Sequence, residues 1–138
     1  GIFEKLLIEA ARHHTYVVDS AGISNYHVGE APDPRTQKTA LVRGVDLSLQ
    51  RARQVLLRDF YEFDFIIAMD SGHLEELLEQ QPDDARSEVH RLLDYCHDIA
   101  HKDVPDPYYG GSSGFERVYD ICEAGCRSLL NHLRTRTA

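Results

Sequence analysis

The 138-residue chain contains no tryptophan, one methionine, three cysteines and five prolines. Three cysteines, Cys96, Cys122 and Cys126, cannot form a disulfide framework, which excludes a small secreted scaffold held by bridges. Cys122 and Cys126 are four residues apart in a helical pattern and read as two small residues on one buried face. Zinc would need partners at a suitable spacing, and only scattered histidines are on offer, so no metal site is expected. No apolar run reaches membrane-span length, and the opening Gly1-Ile2-Phe3-Glu4-Lys5-Leu6-Leu7 is amphipathic rather than signal-like. A cytoplasmic location is the default. Basic residues are outnumbered, 15 against 23 acidic, for a formal net charge of -8. That balance argues against nucleic acid and against anionic membrane as partners. It leaves room for a small anion held in one locally positive pocket.

At 42% apolar residues, the sequence supports one core and one domain. Ile2, Phe3, Leu6, Leu7 and Ala10 recur at helical spacing. Thr15-Tyr16-Val17-Val18 is β-branched and aromatic and predicts a short strand ending at Asp19-Ser20. A glycine- and proline-bearing loop follows. Asp33-Pro34 then opens a helix to about Arg43, closed by Gly44. Asp46 to Gln54 is polar and irregular, and Asp59 to Phe63 predicts a short helical turn. Phe65-Ile66-Ile67-Ala68-Met69 is apolar throughout, as a strand covered on both faces should be. Asp70-Ser71 caps a helix carrying Leu74, Leu77 and Leu78, and Pro82-Asp83-Asp84 ends it. Val89 to Leu93 predicts a third strand. Asp103 to Gly114 is a loop dense in proline, glycine and serine, and Phe115 to Leu133 marks a long amphipathic terminal helix. Strands alternating with helices predict an α/β domain with a parallel sheet, whose ligands bind beyond the carboxyl ends of the strands. Asp19-Ser20 and Asp70-Ser71 both sit at such ends.

The stretch Val104-Pro105-Asp106-Pro107-Tyr108-Tyr109-Gly110-Gly111 carries the most chemical information. Prolines on both sides hold Asp106 in extended backbone, and two adjacent tyrosines follow it. On local chemistry alone, a turn aspartate with two half-buried rings explains this stretch better than a catalytic acid flanked by an aromatic slot.

Asp106-Pro107-Tyr108-Tyr109-Gly110 resembles the acid loop of bacterial-type low-molecular-weight protein tyrosine phosphatases. The likeness runs through the chain in order: Val18-Asp19-Ser20-Ala21-Gly22, Gly29, Pro32-Asp33-Pro34-Arg35, Ala52-Arg53-Gln54, Asp59-Phe60, Phe63-Asp64, Ile67-Ala68-Met69-Asp70 and Phe115-Glu116-Arg117-Val118-Tyr119. The resemblance implies a three-layer α/β fold, with a short parallel sheet between helices, and a metal-free, cofactor-free phosphotyrosine phosphatase. In that chemistry a cysteine thiolate forms a cysteinyl-phosphate, and Asp106 protonates the departing phenolate and then activates water. Tyr108 and Tyr109 are implied to line the substrate slot and Tyr26 its mouth, although a free surface tyrosine in a loop explains Tyr26 nearly as well. Ser20 is implied to brace the phosphate-binding loop from behind, although a strand-end serine bonding its own backbone explains it equally. Gln50 stands where relatives often have a histidine supporting that loop. An amide can donate there but carries no charge near neutral pH. Asp70 aligns with a family aspartate that helix capping accounts for.

The nucleophile motif is missing. The family signature is cysteine, five residues, arginine, then serine or threonine. Here Cys96 meets Lys102, Cys122 meets Ser128 and Cys126 meets His132 six positions later. The expectation is therefore a single phosphatase-like domain, residues 1–138, truncated at its N-terminus and lacking the first central strand and the phosphate loop. Alone it should be inactive. A second copy of the chain, swapped into a homodimer, is another source for the missing strand. Phosphotyrosine proteins, among them a bacterial tyrosine kinase, and phosphate-like anions are the implied partners. A catalytically inactive, partner-binding relative is the alternative reading. Arsenate reductase fits less well, because that reaction needs redox cysteines better placed than Cys122 and Cys126.

Overall fold

A computed structural model describes residues 1–12, 15–24, 26–97, 99, 102–105 and 111–137. The elements are α1 (Ile2–Glu9), α2 (Pro34–Val42), α3 (Asp59–Glu62), β1 (Phe65–Ala68), α4 (Ser71–Gln80), β2 (Glu88–Arg91) and α5 (Gly111–Thr137), with a 3₁₀ turn at Leu92–Tyr95 between β2 and α5.

Strands β1 and β2 pair in parallel, with Phe65 opposite Glu88 and Ala68 opposite Arg91. Successive residues of β1 point to opposite faces, which explains why all are apolar. Phe65 and Ile67 pack with Leu92, Leu129 and Leu133 on the α5 side. Ile66 and Ala68 pack with Phe60 and Leu77 on the side of α3 and α4. The sheet is thus the middle of three layers. Helix α1 lies along α5 through Leu6, Leu7 and Leu130. Phe60 is 1% exposed, and burying a side chain of this size contributes about 1.5–3 kcal/mol.

Local chemistry sets the helix ends. The Asp33 carboxylate accepts from the Arg35 N–H, and Pro34 occupies the first helical position of α2. Gly44 follows α2 with φ +86°, a left-handed conformation that favours glycine. Asp70 caps α4 by accepting from the His73 N–H at 2.8 Å. Gly125 lets α5 press against the 3₁₀ turn. A Cβ there would lie 2.6 Å from Leu92 Cγ.

Three expectations are corrected. Thr15–Val18 forms no strand: Tyr16 and Val18 pack on the α1–α5 core, but Val17 is 86% exposed and no ladder forms among the described residues. β-Propensity alone cannot make a strand without a neighbour to pair with. One residue pair beyond it does bridge in parallel, Gly22 with Gln54. The third strand begins at Glu88 and gives way to the 3₁₀ turn at Leu92, because Asp94 caps that turn by accepting from the Arg91 N–H at 3.1 Å. The terminal helix starts at Gly111, earlier than the glycine- and serine-rich composition implies.

Candidate active site

The carboxyl ends of β1 and β2 gather the polar residues that matter. The backbone N–H of Val104 donates to the Met69 carbonyl, just past β1, at 2.9 Å. Asp103 accepts at Oδ1 from the Ser71 N–H (2.9 Å) and from the Ser71 hydroxyl (2.7 Å). Arg91, the last residue of β2, donates from Nη1 to the same hydroxyl oxygen at 2.8 Å and grips Asp94 from Nη2 at 3.0 Å. Lys102 Nζ donates to the carbonyls of Cys96 (2.7 Å) and Leu93 (3.2 Å). The chain entering the proline-flanked aspartate is therefore tied down at residues 102, 103 and 104.

Asp106, Tyr108 and Tyr109 lie outside the described residues, two to five positions beyond the Val104 anchor. Ser20 is exposed, and its backbone N–H donates to its neighbour Asp19 at 2.7 Å. Tyr26 is 88% exposed. Gln50 is half-buried, with Nε2 next to the backbone of Gly1, and its N–H donates to the Leu47 carbonyl at 3.1 Å.

The segment carrying Asp19 and Ser20 is held by a pair the sequence did not single out. Arg53 donates from Nη1 and Nη2 to the two oxygens of Asp59 (2.9 and 3.1 Å) and from Nε to Asp19 Oδ2 (3.2 Å). The Gly22 N–H donates to the Arg53 carbonyl and the Val55 N–H to the Gly22 carbonyl. Asp59 is buried. Burial pushes its carboxyl pKa up, but the Arg53 hydrogen bonds, the Leu56 N–H and the Arg53 charge outweigh that and hold it below the usual carboxylate range. Arg53 rises in return, chiefly through the same hydrogen bonds. The only prior signal was that Arg53 and Asp59 stand within the matched motifs; nothing local marks them as partners.

The three cysteines lie elsewhere. Cys96 is 1% exposed, and its Sγ lies 3.5 Å from Ser128 Oγ. Burial pushes the Cys122 and Cys126 thiols up to about 11 and about 12. A thiol held protonated cannot serve as a nucleophile. Two surface cavities, about 270 and 330 Å³, lie away from the strand tips, one between α1 and α5 and the other beside α2. Among the described residues, no helix is long and apolar enough to cross a membrane.

A short parallel sheet with helices on both faces, and a loop pinned across the strand tips, is the layout of an α/β enzyme that works at the carboxyl ends of its strands. The sequence profile of the low molecular weight phosphotyrosine protein phosphatases matches residues 1–138. The low molecular weight protein-tyrosine-phosphatase YfkJ of Bacillus subtilis is 38% identical over 130 residues, which cover 94% of this chain and 82% of YfkJ. The crystal structure of YfkJ superposes with a TM-score of 0.91 over 99% of this chain and 85% of that one, at 35% identity. A protein tyrosine phosphatase from Entamoeba histolytica, solved with Hepes in its active site, superposes with a TM-score of 0.92 at 36% identity, covering 99% of this chain and 87% of its own. The chain belongs to the low molecular weight phosphotyrosine protein phosphatase family of enzymes.

Proposed function

We propose that this protein removes phosphate from phosphotyrosine in other proteins, through a cysteinyl-phosphate intermediate, with Asp106 as the acid and base. The single observation that carries this reading is the Val104–Met69 hydrogen bond. It fixes Val104, two positions before the proline-flanked aspartate in the sequence, beside the carboxyl end of a parallel strand, where such folds bind ligands.

The chemistry follows in two steps. A thiolate attacks phosphorus, the bond to the aryl oxygen breaks, and Asp106 delivers its proton to the departing phenolate. The resulting carboxylate then takes a proton from water as the water oxygen attacks phosphorus. The P–S bond breaks, phosphate leaves, and the thiolate returns. Positioned proton transfer contributes roughly 10²–10⁴-fold. The thiolate and the phosphate-gripping arginine belong to a Cys-x5-Arg loop outside these 138 residues, since no cysteine here has arginine six positions on. Two observations support that assignment. Only one edge of β1 is paired among the described residues, and Val17, in the segment expected to be its neighbouring strand, is bare. On this reading Ser20 braces that loop, Gln50 supports it, and Tyr26, Tyr108 and Tyr109 flank the ring of the substrate.

Phosphotyrosine proteins are the substrates on this reading, an autophosphorylating bacterial tyrosine kinase among the candidates, and phosphate-like anions are inhibitors. The three free cysteines suit a reducing cytoplasm.

The test is hydrolysis of a phosphotyrosine peptide by the protein carrying the nucleophile loop. Vanadate-sensitive turnover that falls at least a hundredfold in Asp106→Asn is the expected result. Full activity in Asp106→Asn would overturn the acid assignment. The 138-residue chain on its own is expected to hydrolyse nothing; turnover by it would overturn the assignment of the nucleophile.

A further inference from the structure

We propose that Asp103, through Ser71 and Arg91, is the positioning residue that fixes Asp106 for proton transfer. The inference rests on the reading of Asp106 given above and extends it to residues that reading does not use.

The geometry is specific. Asp103 is exposed, yet one carboxylate oxygen accepts two hydrogen bonds from Ser71. Ser71 is the first residue of α4, so its N–H is one of the first-turn donors that no helical carbonyl can satisfy. Asp70 satisfies the His73 N–H in the same turn, and Asp103, thirty-two residues away in sequence, takes the Ser71 N–H. The Ser71 hydroxyl donates to Asp103 and accepts from Arg91 Nη1, so its position is fixed from both sides. Arg91 Nη1 also lies 3.8 Å from Asp103. Arg91 is held in turn by Asp94, whose carboxyl pKa burial raises but whose hydrogen bonds from Arg91 bring it below the usual range.

Helix α4, strand β2 and the entry to the acid loop thus meet at one carboxylate. The next residue makes the Val104–Met69 bond, and Pro105 then leaves little backbone freedom before Asp106. A short charge-assisted bond followed by a proline is a stiff lever, and misplacing a catalytic group by about 1 Å can cost roughly a hundredfold.

A group that acts through the general acid leaves a signature that loss of folding does not. Protonation of the leaving group matters for poor leaving groups and hardly at all for good ones. In the active enzyme, Asp103→Ala is expected to lower kcat/KM for phenyl phosphate by roughly ten- to a hundredfold, and that for 2,4-dinitrophenyl phosphate less than about threefold, because kcat/KM reports the step in which the aryl oxygen leaves and not the later attack of water. Ser71→Ala should show the same pattern more weakly. Asp103→Asn, whose amide oxygen can still accept from Ser71, should recover part of the loss. In an Asp106→Asn background, Asp103→Ala should have no further effect on phenyl phosphate. Equal losses of kcat/KM on both substrates, or an undiminished loss in the Asp106→Asn background, would overturn the proposal. A flat leaving-group dependence in Asp106→Asn itself would sink the acid assignment instead. One measurement needs no turnover: amide hydrogen exchange at Val104 and Ser71 should accelerate at least tenfold in Asp103→Ala. Unchanged exchange at both amides would refute the lever.

Discussion

Arg53 and Asp59 meet as two parallel hydrogen bonds, 2.9 and 3.1 Å long, between a half-buried guanidinium and a buried carboxylate. The same carboxylate also accepts from the Leu56 N–H at 2.8 Å. Asp59→Ala removes all three bonds, leaving the Leu56 N–H without its acceptor and Arg53 with only Asp19 and the Gln54 carbonyl. It is expected to cost about 2–4 kcal/mol, read as a lower urea midpoint at unchanged slope. A loss below about 0.5 kcal/mol would mean that water replaces the carboxylate.

Acid should destabilise the fold through the same groups. Asp59 and Asp94 both have folded pKa values below the ordinary carboxylate range. A group depressed on folding contributes stability that is fully present above its unfolded pKa, about 3.9, and is lost as pH falls through its lower folded value. The melting temperature should therefore hold steady down to about pH 5 and drop steeply below about pH 4. In Asp59→Asn the drop should be shallower. A wild-type profile that stays level from pH 5 to pH 2 would rule this out.

Gly125 is buried where α5 crosses the 3₁₀ turn. A methyl there would stand 2.6 and 2.8 Å from Leu92 Cγ and Cδ2. Overpacking costs about 1–3 kcal/mol, and alanine returns about 1 kcal/mol of helix propensity. Gly125→Ala is expected to destabilise by up to about 2 kcal/mol, and the loss should be less than additive with Leu92→Ala. Simple additivity, measured by chemical denaturation, would show that the two sites do not touch.

Tyr26 presents nearly all of its ring to solvent. Tyr26→Ala should leave stability within about 0.5 kcal/mol. If the ring stacks on the substrate, an aromatic contact of about 0.5–1.5 kcal/mol predicts a KM for a phosphotyrosine peptide raised about two- to tenfold. An unchanged KM would reduce Tyr26 to a surface ring.

Cys122 and Cys126 should react with iodoacetamide only slowly at pH 7, because burial holds both thiols protonated. Mass spectrometry after timed alkylation reads this directly. Cys122→Ser should retain phosphatase activity. Loss of activity with the fold intact would implicate α5 in the chemistry.

Elements whose ends are written locally were legible in the sequence. Asp33-Pro34 and Asp70-Ser71 announce α2 and α4 through their caps, and the apolar run at 65–68 announces a strand covered on both faces. What depended on distant partners was not. Thr15–Val18 has strand composition, but pairing is a property of two segments, and composition reports only one. Arg53 and Asp59 sit in stretches with no periodicity, so their contact could not be inferred from spacing. In the sequence Asp103 reads as part of a loop and Ser71 as part of a helix cap, although they share a hydrogen-bonded junction across thirty-two residues. Family motifs located Asp106, whose local sequence fits an ordinary turn.

The Val104–Met69 bond joins the loop to the residue immediately after Ala68, which is 3% exposed and packs on Phe60 and Leu77. The hydrophobic floor beneath the strand thus acts as the foundation for whatever reacts above it. Trimming Leu77, well inside the protein, would let the strand tip settle and carry the loop with it. Damage of that kind would present in an assay as a chemical defect, although the altered atom never approaches the substrate.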